Sequence, residues 1–179
     1  MNITVYCGVS EGTDKAYTDF ARELGSWIGE SGHTLVYGGG GIGMMGTVAN
    51  ATLDHGGSVI GIYPHFLSHR ERILQRLEDP IEVETMAIRK MKLIDHADAF
   101  CVLPGGIGTL EEITEVISQK SLELLDVPIL IANVNGYYDR FIDLLHFMEK
   151  QGFLRLEPSW FHVVTSIEQI EAILGKSVD

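Results

Sequence analysis

Short apolar runs rich in Val, Ile and Tyr alternate along this chain with longer stretches of helical period, and that alternation restricts the fold more than any other feature. ITVYCG (3–8) reads as a first strand, and residues 14–31 read as a helix with Ala16, Phe20, Leu24 and Ile28 on one stripe. Gly32 follows, where a helix end favours a residue free to take positive φ. HTLVYGG (33–39) is a second strand, residues 43–55 a small-residue helix, and SVIGIYP (58–64) a third strand cut off by Pro64. Residues 65–80 are less regular and carry much of the local positive charge. Then come a short strand at 81–84, a helix at 86–96, the buried strand AFCVLP (99–104), and a helix from Thr109 to about residue 125. VPILIAN (127–133), a helix at 137–151 ended by Gly152, a strand at 161–165 and a helix from Ser166 complete the pattern.

Strands joined by crossover helices predict a mainly parallel sheet covered on both faces: a single doubly wound, Rossmann-like α/β domain over residues 1–179. Ligands in such folds bind beyond the C-terminal ends of the strands. Hydrophobic residues at 45% and charged residues at 21% suit a globular chain and are too apolar for disorder. The formal charge of -12 argues against nucleic acid as a partner, because phosphate backbones are held by surplus Lys and Arg. It leaves room for one cationic pocket that takes a small phosphorylated ligand. Cys7 and Cys101 fall in strand-like runs and read as buried thiols in a reducing compartment, with neither a disulfide nor a metal site. The start MNITVYCGV does not resemble a signal peptide and no apolar run is long enough for a membrane span, so the expected location is the cytoplasm, with no membrane partner.

Two glycine loops stand at predicted strand ends. YGGGGIGMMG (37–46) contains GxGxxG twice, at Gly38/Gly40/Gly43 and Gly41/Gly43/Gly46. It follows the second strand rather than the first, and the next strand ends in Tyr63-Pro64 without an acid to hold a ribose, which weakens a dinucleotide reading. Two readings stay open: backbone amides offered to an anion, or close helix–strand packing through Gly43 and Gly46. The second loop lies in VLPGGIGTLEEI (102–113), where Gly105, Gly106 and Gly108 allow a tight turn able to wrap a phosphate. Thr109-Leu110-Glu111-Glu112 also fits the S/T-x-x-E capping box, which stabilises a helix by about 1 kcal/mol without any chemistry. Glu112 is therefore either a cap or a working carboxylate. The cationic pair Arg89-Lys90 precedes this loop by one strand, and an acid near an arginine in a phosphate-shaped site suits cleavage of a glycosidic bond to a sugar phosphate.

PGGIGTLEE (104–112) resembles the PGGxGTxxE signature of the Lonely guy (LOG) family, the cytokinin riboside 5'-monophosphate phosphoribohydrolases, whose members have often carried a lysine-decarboxylase label. Cys7-Gly8 with Ser10 and Gly12, LVYGGGGIGMMG (35–46), GGSVIGIYP (56–64), Met86 with Arg89-Lys90, and NVNGYYD (133–139) are similar to further stretches of that family. The resemblance implies hydrolysis of the N-glycosidic bond in AMP or an N6-modified adenosine 5'-monophosphate, a step of cytokinin biosynthesis, with Arg89 and Glu112 as the catalytic pair. It implies a phosphate and ribose cradle of Gly105, Gly106, Ile107, Gly108, Thr109, Leu110 and Glu111. Further substrate contacts are implied for Gly8, Gly39, Gly40, Glu71, Met86, Lys90 and Ser118. It further implies a homodimer, with Leu110, Ile113, Val116 and Ile117 suiting either that interface or the sheet, and it calls for no cofactor and no metal. The chain departs from the family at Ala87-Ile88, at Ser118-Gln119-Lys120 and at Val9, positions on the wall that would meet the base.

Two rivals differ in class. A non-catalytic nucleotide-phosphate or molybdenum-cofactor carrier of the same superfamily would use the same loops without needing Arg89 and Glu112. A pyridoxal-phosphate decarboxylase would need a Schiff-base lysine, and Lys90 and Lys92 lack an aspartate-paired site around them. His65 and His69 have helical metal-pair spacing but no third ligand, and Arg70, Arg72 and Arg76 read as an exposed helix face or a flap.

Overall fold

The computed structural model describes residues 1–68 and 72–175. In these the strands β1 (Asn2–Tyr6), β2 (Thr34–Tyr37), β3 (Ser58–Pro64), β4 (Ile81–Val83), β5 (Ala99–Val102), β6 (Ile129–Ala132) and β7 (His162–Val164) form one sheet in the order β4-β3-β2-β1-β5-β6-β7. All six neighbour pairings are parallel. The helices are α1 (Lys15–Glu30), α2 (Gly43–Asp54), α3 (His65–Ser68), α4 (Met86–Asp95), α5 (Ile107–Ser121), α6 (Asp139–Lys150) and α7 (Ile167–Leu174), with a 3-10 turn at Val134–Gly136.

Strand side chains alternate between faces, so each central strand feeds two cores. From β1 and β5, Ile3, Val5, Ala99 and Cys101 join Leu24 and Ile28 of α1, Val48 of α2 and Ile170 of α7. Tyr6, Phe100 and Val102 join Leu93 of α4, Ile113 and Val116 of α5, and Tyr138 beside α6. Ile113, Val116 and Ile117 are therefore committed to the sheet, and of the face considered for a dimer only Leu110 is exposed. Thr4, the polar residue buried in the centre of β1, donates its hydroxyl to the Leu93 carbonyl at 3.0 Å.

Local chemistry sets the helix limits. Asp14 caps α1 by accepting from the Ala16 amide at 2.9 Å, and Gly32 (φ 69°) takes the chain out at the other end. Thr85 caps α4 by accepting from the Ile88 amide. Among the irregular residues, Gly40 and Ile73 form an isolated antiparallel bridge, and Arg76 reaches Asn50 and Asp54 of α2, which fastens this segment over the glycine loop after β2. Glu71, His69 and Arg70 lie outside the described residues. Among the described residues no helix is long and apolar enough to cross a membrane.

Candidate active site

β1 and β5 are adjacent, yet the chain leaves them in opposite directions, β1 towards β2 and β5 towards β6. Their loops part at the C-terminal edge of the sheet and open a crevice, the place where doubly wound folds take ligands. Gly8 crosses it, donating its amide to the Pro104 carbonyl at 3.1 Å. A cavity of about 270 Å³ lies beside it, lined by Gly8 to Gly12, Tyr17, Met44, Pro104 to Gly106 and Tyr137.

The helix after β5 begins two residues earlier than its sequence suggests. Gly106 is the N-cap and no side chain caps the end, so Thr109 is the third residue inside α5 and the capping box does not form. Thr109 is instead buried, close enough to Gly105 that a Cβ on that glycine would collide with it and with the Gly8 amide. The first intrahelical donor is the Leu110 amide, bonded to the Gly106 carbonyl at 3.0 Å. The amides of Gly106, Ile107, Gly108 and Thr109 precede it and have no intrahelical acceptor, which leaves a partial positive charge at an end suited to an anion.

Glu112 is free of the cap because Arg89 claims it. On α4, Arg89 and Leu93 are one turn apart on the buried face, and helical side chains lean towards the N-terminus, here the C-terminal edge of the sheet. The Arg89 guanidinium donates from Nη1 to Glu112 Oε1 at 3.0 Å and from Nε to the Ile62 carbonyl at 3.1 Å. Both side chains are about nine-tenths buried, at 8% and 10% exposure. A buried cation left unpaired costs about 3–5 kcal/mol against about 1 kcal/mol for a cap, so the ion pair wins. Room for the guanidinium comes from Gly38, where any Cβ would strike Arg89 Nη2.

Burial pushes the Glu112 carboxyl above the ordinary carboxylate range, with Arg89 opposing the shift. Lys90, next along α4, also reaches α5, bonding Glu111 at 2.8 Å and Glu115 at 3.2 Å nearer the surface; the Glu111 bond holds its ammonium above the usual lysine value. Tyr6 belongs to the same neighbourhood, its phenol pushed up by burial and then by Glu112 and Glu115. Carboxylate, guanidinium and phenol thus gather on the α4–α5 side of the sheet, about one and a half turns along α5 from its uncapped end, and none of the three lines the cavity beside Gly8.

The remaining expected residues divide. Met86 is the half-buried first residue of α4, while Ile107, Leu110 and Glu111 are exposed at the start of α5. Ser118 is exposed nearly two turns beyond Glu112, about 9 Å along the helix, and is not brought to the pair. Gly39 and Gly40 are buried in the glycine loop after β2, whose backbone is partly committed: the Gly41 amide bonds the Arg72 carbonyl at 2.6 Å, and the Gly39 carbonyl accepts from Leu74 at 3.0 Å. Gly43 and Gly46 serve close packing, the first against the Val9 carbonyl and the second against Gly41. His65, the first residue of α3, pairs with Glu82 of β4. Three residues escaped the sequence reading. Gly38 was hidden in a run of four glycines, and Tyr137 and Tyr138 in NVNGYYD, whose phenols bond the carbonyls of Gly105 and Leu103.

A doubly wound α/β protein with a buried Arg–Glu pair beside an uncapped helix at its switch point is thus defined. Residues 45–176 match the model of the family described as "Possible lysine decarboxylase". The chain is 37% identical over 177 residues to the cytokinin riboside 5'-monophosphate phosphoribohydrolase LOG1 of Arabidopsis thaliana, covering 99% of this chain and 82% of that one. It is 40% identical to the probable cytokinin riboside 5'-monophosphate phosphoribohydrolase LOGL9 of Oryza sativa, over 97% of this chain and 76% of the other. Among solved structures, the molybdenum cofactor binding protein of Rippkaea orientalis superposes with a TM-score of 0.73 at 18% identity, covering 99% and 97% of the two chains. The Moco carrier protein of Chlamydomonas reinhardtii gives 0.72 at 19%, covering 98% of each. The structural likenesses concern the fold, whereas the family match and the sequence identities place the chain itself: it belongs to the LOG family.

Proposed function

We propose that this protein hydrolyses the N-glycosidic bond of adenosine 5'-monophosphates, including N6-modified ones, to the free base and ribose 5-phosphate. The observation that carries the reading is the buried Arg89–Glu112 pair beside the open amides of α5. The amides of Gly106 to Thr109 bind the 5'-phosphate, with the Thr109 side chain packed behind them. Anchoring the phosphate fixes C1' of the ribose against Glu112. As the C1'–N bond breaks, its electron pair leaves with the base and positive charge builds on the sugar, which the Glu112 carboxylate stabilises. Water then bonds to C1' and gives up a proton, which a carboxyl whose affinity for protons is raised by burial is suited to accept and pass on to the departing base, so that the base leaves neutral and Glu112 returns to its carboxylate. Arg89 holds that carboxylate in place and can polarise the departing base. A protein that only carried a phosphorylated ligand would have no use for this pair.

In the same reading the chain is one LOG-type domain working in the cytoplasm as a homodimer, with no nucleic-acid or membrane partner. Exposed Met91 of α4 and Ile107 and Leu110 of α5 support a face covered by a second copy. The test is a panel of nucleoside 5'-monophosphates with base release followed by chromatography. Adenine or an N6-substituted adenine is expected from the monophosphates and none from the unphosphorylated nucleosides. Glu112→Gln is expected to bind substrate without turning it over. Full activity in that variant returns Glu112 to a structural role, and no base release from any monophosphate favours a carrier.

A further inference from the structure

The stretch 133–139 has no part in the chemistry above, yet it touches the phosphate loop at two points. Tyr138, whose hydroxyl is buried, donates to the Leu103 carbonyl at 2.7 Å, and Tyr137 donates to the Gly105 carbonyl at 2.5 Å. Between them, the Pro104 carbonyl accepts the Gly8 amide at 3.1 Å. Three successive carbonyls of a glycine-rich loop are therefore each held by a donor from outside it. The amides that follow, Gly106 to Thr109, have no intrahelical partner.

The element supplying the two phenols is itself braced. Asn133 Oδ1 accepts from the Tyr138 amide at 2.8 Å, and its Nδ2 donates to Asp139 at 2.7 Å. Asn135, in a left-handed conformation (φ 50°), donates to Asp14 at 2.8 Å, the N-cap of α1. The left-handed pair Asn135 and Gly136 turns the chain so that the two phenol rings stand at 86° with centroids 5.0 Å apart, each reaching a different carbonyl. Tyr17 of α1 packs edge-on to Tyr137 at 5.4 Å. The whole assembly ends on the Gly105 oxygen.

We propose that Tyr137 is a positioning residue for the phosphate anchor: by fixing the Gly105 carbonyl it aims the first-turn amides of α5 at the bound 5'-phosphate. This rests on the phosphoribohydrolase reading and deepens it. Gly105 and Gly106 would otherwise sample many conformations, and only amides already in place stabilise an anion without reorganising. Tyr137 is 40% exposed, so losing its hydroxyl leaves no deeply buried group unpaired and spares the fold.

The test compares Tyr137→Phe and Tyr138→Phe with the parent, by steady-state hydrolysis of AMP and by calorimetric titration with inorganic phosphate. For Tyr137→Phe, KM for AMP and the dissociation constant for phosphate are expected to rise together by about tenfold, with kcat within about twofold and the melting temperature little changed. A merely structural role would lower the melting temperature and leave phosphate affinity alone. Tyr138→Phe, which strips a buried bond, is expected to lose stability and to weaken phosphate binding through the same loop. Unchanged phosphate affinity in a folded Tyr137→Phe overturns the proposal, as does a parent that binds no phosphate. A parent that binds phosphate but cleaves no nucleotide refutes the enzymatic reading, and the titration still decides the role of Tyr137.

Discussion

Consider the Arg89–Glu112 pair taken apart in a thermodynamic cycle: Glu112→Leu, Arg89→Met and the double variant. In Glu112→Leu the guanidinium keeps only its bond to the Ile62 carbonyl while remaining about 92% buried, since its side-chain exposure is 8%. An uncompensated buried charge costs about 3–5 kcal/mol, and the lower end applies because the guanidinium keeps its bond to the Ile62 carbonyl. At about 2–4 °C per kcal/mol for a chain of this size, a loss near 3 kcal/mol lowers Tm by roughly 6–12 °C. The double variant removes both charges and fills the space with apolar volume. It is expected to melt at or above the parent temperature, because buried ion pairs are often no better than a hydrophobic replacement. With about 3 kcal/mol lost in Glu112→Leu and none in the double variant, the coupling energy from the cycle is then at least about 3 kcal/mol in magnitude, and all three variants lack turnover.

The pH dependence supplies an independent check. Burial raises the Glu112 carboxyl above its value in the unfolded chain despite Arg89, so folding increases its affinity for protons. The stability contributed by this group is fully present below the unfolded value and is lost as pH rises through the raised folded pKa. Parent minus double variant, measured by denaturant unfolding across that window, is expected to decline with rising pH. A Glu112→Leu protein that melts within about 2 °C of the parent, or a difference that grows with pH, would show that the carboxylate is neither buried against Arg89 nor desolvated as described.

Two further perturbations separate the site from the scaffold. Gly38→Ala sets a methyl against Arg89 Nη2 and is expected to lower kcat on AMP by about a hundredfold through displacement of the guanidinium, with unchanged kcat refuting the contact. Cys7 and Cys101 are both buried, the Cys7 thiol raised by burial and the Cys101 thiol pushed up to about 12, so neither is expected to react with a thiol reagent at pH 8 until the protein is unfolded.

How far the sequence could be read depended on the range of the interaction deciding each feature. Strand and helix limits follow from neighbours along the chain. Alternation along β1 and β5, Asp14 before α1 and Gly32 after it were legible, and the doubly wound order followed from the alternation of elements. The beginning of α5 was misjudged for the same reason. Thr109 and Glu112 satisfy a local rule, but the competing partner, Arg89, is 23 residues away and meets Glu112 only once β5 has been laid beside β1. Gly38 is another such case. Its need for a bare Cα comes from a guanidinium on α4, so no count of glycines in 37–46 could single it out. Tyr137 and Tyr138 extend the point, reaching carbonyls 32 and 35 residues earlier in the chain. The capping motif itself had a purpose beyond capping. Glu112 is drawn to Arg89 rather than to the cap, and the end of α5 keeps its amides open; in the proposed function these are the working carboxylate and the place for the phosphate. On that proposal both depend on a single long-range contact, and a change that restored the cap is expected to abolish turnover and phosphate binding together.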